Sequence, residues 1–318
     1  MYSLLRRVVT LTLVLTAATS VAVAAPRVVT SMPPVTAIVT AVAGDAFTPV
    51  ELLPAGASPH TFALTPSRVT ALTTADLVIW VGSSVETGLA KPISTLLGNS
   101  AVIELLELPG LALLPVREGG VWEAHDDDNT NESEDRRNDS RIDRAQEDGR
   151  ASESTDPHVW LDPRNVTVIG RAIAKALASI DPINANQYRA NAEVLANTMT
   201  RTEIELSSRL GALKDKRYLV FHDAYQYLER RFALRPVGAV TLSPERAPGA
   251  KRIHELRRRI TDGGVACLFR EPQFPPKLAE TLIEGTSVQV GVLDPVGTGQ
   301  PPEKLFNALA KELEACLG

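Results

Sequence analysis

The chain has 318 residues, 44% of them apolar, and a formal net charge of −5. That length allows two domains of ordinary size. With no basic excess, nucleic acid is not an expected partner.

The first segment, MYSLLRR, is positive through Arg6 and Arg7 and leads into VVTLTLVLTAATSVAVAA. A basic start, an apolar stretch and the small-residue run Ala22-Val23-Ala24 read as a secretory signal peptide over residues 1–24, cleaved after Ala24. A membrane anchor fits less well, because the stretch is barely long enough and is diluted by Thr and Ser. No later stretch is apolar enough to span a bilayer, and no cysteine follows the apolar region to open the bacterial lipoprotein route. The mature chain is expected to be soluble outside the cytoplasm and not membrane-embedded.

Strand and helix signals then alternate. RVVTS (27–31), TPVELL (48–53), DLVIWVG (76–82) and AVIELLEL (101–108) read as strands, and PVTAIVTAVAG (34–44) and PSRVTALTTA (66–75) as helices. Residues 123–156 break the pattern. They hold almost no large apolar side chain and are expected to form a disordered, solvated loop. Helical spacing returns at 163–180 and over the long stretch 183–213, whose length suits a bridge between two domains. Alternation resumes with strands at RYLVFH (217–222), RPVGAV, VACLFREP (265–272) and SVQVGVLDP (287–295). Helices are expected at 223–232, from about Pro248 to Ile260, at 275–285 and at the C-terminus. The expected fold is α/β: two lobes of parallel-sheet βα units joined by a long helix. The boundaries are an N-terminal lobe at 25–182, a linking helix at 183–213 and a C-terminal lobe at 214–318. A ligand in such a fold sits at the carboxyl ends of the strands or in the cleft between the lobes.

There are five histidines. His125 lies in the acidic loop, and His254 lies in the charged stretch RIHELRRR. The other three, His60 in AGASPH, His158 in DPHVWLDP and His222 ending YLVFH, fall at or just past strand ends, in turns where α/β domains place binding residues. Asp294, opening DPVGTG, is placed the same way. Three imidazoles and one carboxylate suit zinc. A core or capping histidine is the competing reading for each one alone. In DPHVWLDP, an extended segment would put Trp160 on the same side as His158. Asp162 would cap the helix begun by Pro163, and neither Asp156 nor Asp162 would touch a metal. The two cysteines, Cys267 and Cys316, suit a disulfide in an exported chain, with a metal-binding thiol pair as the alternative.

Taken in order, GASPHTFALTPS, DPHVWLDP, YLVFHDAYQYL, FREPQFPP and GVLDPVGTG resemble the periplasmic metal-binding proteins of bacterial ABC importers, the cluster A-I family, and within it the zinc-binding ZnuA type. The resemblance runs from about Arg27 to Gly318. It implies that His60, His158 and His222 are metal ligands and that Asp294 supplies or lines the fourth position. It also implies a Cys267–Cys316 disulfide, and a histidine at position 222 where manganese and iron binders tend to carry glutamate. The loop departs from the zinc type, which is usually rich in histidine and acid there. Here it holds only His125, among acids and five arginines, and reads as a tether. The function implied is capture of Zn²⁺, as transported ligand, by a monomer that delivers it to an inner-membrane ABC permease. The alternatives are a zinc-dependent adhesin or structural surface protein, against which the lack of a lipobox and anchor counts, a manganese or iron carrier of the same family, and a zinc-dependent hydrolase. The last lacks H-E-x-x-H, so no enzymatic activity is expected.

Overall fold

The computed structural model describes residues 24–98, 100–117, 155–241 and 248–318. The signal peptide, apart from Ala24, and nearly all of the acidic loop lie outside the described residues.

The N-terminal lobe holds β1 (Val28–Thr30), α1 (Pro33–Ala43), β2 (Val50–Glu51), α2 (Pro66–Thr73), β3 (Leu77–Trp80), α3 (Thr87–Leu96) and β4 (Ala101–Glu104). Its sheet is wholly parallel, in the order β2-β1-β3-β4. Every residue of β1 and β3 is buried, as continuous apolar runs in a parallel sheet require. Two prolines open α1, and Gly44 ends it at φ +58, a left-handed stop that glycine adopts without strain.

α4 (Pro163–Ile180) and α5 (Ala185–Leu210) pack along each other between the lobes. At 26 residues α5 is about 39 Å long. Short 3₁₀ turns at Pro182–Asn184 and Gly211–Leu213 flank it. It touches α1 on one side and the closing helix α9 (Pro302–Leu317) on the other, where Arg209 grips Glu314 and Asn307.

The C-terminal lobe repeats the same plan. β5 (Tyr218–His222), α6 (Gln226–Phe232), β6 (Gly238–Thr241), α7 (Ala250–Asp262), β7 (Cys267–Arg270), α8 (Lys277–Ile283), β8 (Gln289–Val292) and α9 build a parallel sheet in the order β6-β5-β7-β8. Cys267 at the start of β7 is disulfide-bonded to Cys316 on α9. One apolar core is continuous from the N-terminal sheet through α4 and α5 to Tyr218, Phe269 and Phe306. A second, smaller one fills the other face of the C-terminal sheet.

Several expected elements are shorter. In TPVELL only Val50 and Glu51 pair, while Leu52 and Leu53 are buried in the turn beyond. AVIELLEL is a strand only to Glu104, then a 3₁₀ turn that buries Leu105 and Leu106. α6 begins at Gln226 because a tight turn follows His222, with the Ala224 N–H bonded to the His222 carbonyl. α3 has no counterpart in the sequence reading, since Gly88 and Pro92 interrupt its pattern.

Candidate metal centre

In both lobes the strand order reverses beside the central strand, β1 or β5, and loops leaving the carboxyl ends there form a crevice. His222 is the last residue of β5, and Glu271 follows β7, its neighbour in the sheet. From the other lobe comes His60, in the turn after β2, with its backbone N–H on Ser58 Oγ and its carbonyl bonded by Thr87 of α3. His158 opens the 3₁₀ turn Val159–Leu161.

These three imidazoles meet. Their ring centroids are 5.0 Å apart for His158 and His222, 5.3 Å for His60 and His222, and 6.0 Å for His60 and His158. One nitrogen from each lies within 4.8 Å of the others, and among the described residues no other such group of three metal-capable side chains forms.

Two carboxylates set the direction of the rings. Asp156 Oδ1 lies 2.7 Å from His158 Nδ1, and Glu271 Oε1 lies 2.7 Å from His222 Nδ1. When ionised, each carboxylate can only accept, so its partner Nδ1 then carries the proton and the Nε2 is left with its lone pair. Those two Nε2 atoms face each other at 3.2 Å. Two nitrogens bound tetrahedrally to one zinc at 2.0–2.1 Å would be about 3.3 Å apart. The spacing suits a shared cation and leaves two bare lone pairs opposed without one.

The electrostatics point the same way. Burial, reinforced by His222 and His60, holds His158 well below the ordinary histidine range. Burial also lowers His222, but Glu271, joined by Asp223 and Asp156, outweighs it and the net shift is upward. Asp156 is pushed up to about 7 by burial. His158 is thus held neutral, the form that binds metal, whereas His222 keeps a proton that a metal must displace.

Around the site the sequence expectations divide. Trp160 lies beside His158, with ring centroids 5.3 Å apart, and its Nε1 donates to the Pro295 carbonyl across the cleft. The expected route to that position is corrected: residues 159–161 form a 3₁₀ turn, not an extended strand. Asp162 caps α4 by accepting from the Arg164 N–H, and it also binds Arg231 of α6. Asp294 does not join the three histidines; its Oδ1 accepts from Gln273 Nε2 and from the N–H groups of Val296 and Gly297. The sequence reading gave no role to Glu271 or Gln273 and did not foresee Asp156 as a partner of the His158 ring. Strand-end placement after β7, the signal used for His222, would have found the first two. Arg117 was also missed. It bridges from the N-terminal lobe to Asp223 and buried Glu229 behind His222.

A two-lobed α/β protein with a long connecting helix and an imidazole-lined interlobe site defines the class: a metal-binding protein of the solute-capture kind. Residues 28–316 match the family model for ZnuA, the periplasmic component A of the zinc-uptake complex. The chain is 38% identical over 304 residues to the high-affinity zinc uptake system protein ZnuA of Brucella abortus (strain 2308), covering 91% of each chain. It is 36% identical over 300 residues to the protein of that name from Yersinia pestis, covering 92% of each. Its fold is similar to the periplasmic zinc-binding protein TroA from Treponema pallidum, with a TM-score of 0.75 over 93% of this chain and 100% of that one at 20% identity. The chain belongs to the ZnuA family.

Proposed function

We propose that the chain captures one Zn²⁺ in the interlobe crevice and hands it to an ABC permease in the inner membrane, as the periplasmic component of a zinc-uptake system. His60, His158 and His222 are the ligands, and residues 1–24 direct export. Among the described residues no helix is long and apolar enough to cross a membrane, in keeping with a carrier that meets its permease from the periplasm. The observation that carries the reading is the opposed pair of Nε2 atoms at 3.2 Å, each backed by a carboxylate on Nδ1.

Three borderline nitrogen donors favour zinc over manganese or iron, which take more oxygen. The carboxylates nearest the site are spent on orienting imidazoles, so neither is free to act as the general base that a zinc hydrolase needs. The protein acts as a monomer without catalysis. Calorimetric zinc titration of the mature chain should give one tight site. Alanine at His60, His158 or His222 should weaken it by orders of magnitude while leaving the melting temperature of the metal-free protein nearly unchanged. A variant lacking all three histidines that still binds one zinc as tightly would remove the basis for the proposal.

A further inference from the structure

Gln273 stands in the turn after β7 and lines the same small cavity as the three histidines. Its Nε2 lies 2.7 Å from Asp294 Oδ1. That oxygen also accepts from two backbone N–H groups, so it is an acceptor and the amide edge facing it must be the NH₂ group. The orientation of the side chain is therefore fixed by chemistry. Its other edge is a carbonyl oxygen, buried and without a partner among the described residues. Buried carbonyls in folded proteins are almost always given a donor. Three nearby N–H donors are committed elsewhere: Trp160 Nε1 to Pro295, and the Nδ1 groups of His158 and His222 to their carboxylates.

We propose that Gln273 is a positioning residue for the metal's fourth site: its carbonyl accepts a hydrogen bond from the water that completes the coordination shell. The inference rests on the reading of the three histidines as zinc ligands. A metal-bound water brings the donors this carbonyl lacks. The charge balance favours an amide over a carboxylate. Asp156 and Glu271 already stand behind two of the imidazoles, and a third carboxylate on the metal would add further negative charge to the shell and hinder release. Asp294 is thus held back from the metal and spent on aiming Gln273.

The test compares Gln273→Met, which keeps the volume and loses the acceptor, with Gln273→Glu, which keeps an oxygen acceptor but faces Asp294 with a like charge. Zinc affinity is measured by competition with a chromophoric chelator, and the fourth site is read from the visible spectrum of the cobalt(II)-loaded protein. Gln273→Met should lower zinc affinity about tenfold, as loss of such outer partners does, and alter the cobalt spectrum. Gln273→Glu should bind zinc more tightly than Gln273→Met. A side chain that merely fills space gives the reverse order, with methionine neutral and glutamate damaging. That order, with the cobalt spectrum of Gln273→Met unchanged, overturns the inference. His222→Ala serves as the control. If it loses zinc while Gln273→Met is silent, only this inference falls; if it too binds normally, the reading of the site falls first.

Discussion

Glu86 is fully buried at the carboxyl end of the N-terminal sheet, with Oε2 bonded by the Val81 and Gly82 N–H groups. Burial pushes it up to about 7 against hydrogen bonds that favour the ion. A raised carboxyl pKa means that the folded state holds its proton more tightly than the unfolded one, so the charge costs nothing below about 4.5 and its full amount above about 7. Glu86→Gln keeps an oxygen for the two N–H groups and removes the charge. It should match the parent in stability at pH 4.5 and exceed it at pH 8 by on the order of 3 kcal/mol, as read from denaturant midpoints. A gap that does not change with pH would contradict this. At the metal site the sign concerns binding. His222, whose net shift is upward, holds a proton to higher pH than an ordinary histidine, and zinc must displace it. Zinc affinity measured by competition should fall toward pH 5, by up to about tenfold per pH unit for each proton displaced; a flat profile would show that the imidazoles are not ligands. His60, His158 and His222 were legible because each sits in a turn rich in Pro, Gly or Asp at a strand end. The pairing of Glu271 with His222 was not, because no local pattern marks a contact between residues 49 apart.

Among the elements, buried strands such as LVIW and YLVFH and the amphipathic α4 announce themselves by unbroken or 3.6-periodic apolar residues. Where two leucines fall side by side in a turn, as at Leu52–Leu53 and Leu105–Leu106, a strand is read too long. α3 escaped because its helix tolerates Gly88 and Pro92, with only Leu89 buried. The disulfide was anticipated from two cysteines in an exported chain, and its site shows what it does. Cys267 pairs with Tyr218 at the amino end of β5, the end opposite His222. Replacing both cysteines by serine leaves α9 held by its buried apolar face and by Arg209, and removes a link across a separation of 49 residues. The loss of stability should be about 4 kcal/mol by the chain-entropy relation, seen in the denaturant midpoint, with zinc affinity little changed. A large loss of zinc affinity would mean that α9 also sets the crevice.

On the scale of the molecule, the two lobes are not free to swing wide. The apolar core passes without a break through α4 and α5, and polar ties cross the crevice from Trp160 to Pro295, from Asp162 to Arg231 and from Arg117 to Asp223 and Glu229. Small shifts of the loops that carry His60, His158 and Gln273 suit this arrangement better than a wide hinge opening. Alternating strand and helix signals and one long helix made this two-lobed plan legible. The cross-lobe ties were not, since Arg117 and Asp223 stand 106 residues apart in the chain. The central claim is that one zinc is held between the lobes by His60, His158 and His222. It is tested most directly by an anomalous difference map at the zinc edge from crystals of the zinc-loaded mature protein. The account predicts one strong peak about 2.0–2.1 Å from a nitrogen of each of the three histidines, with an oxygen completing a tetrahedron and the lobes nearly unmoved. A peak elsewhere, or one bonded to fewer than two of these histidines, would contradict it.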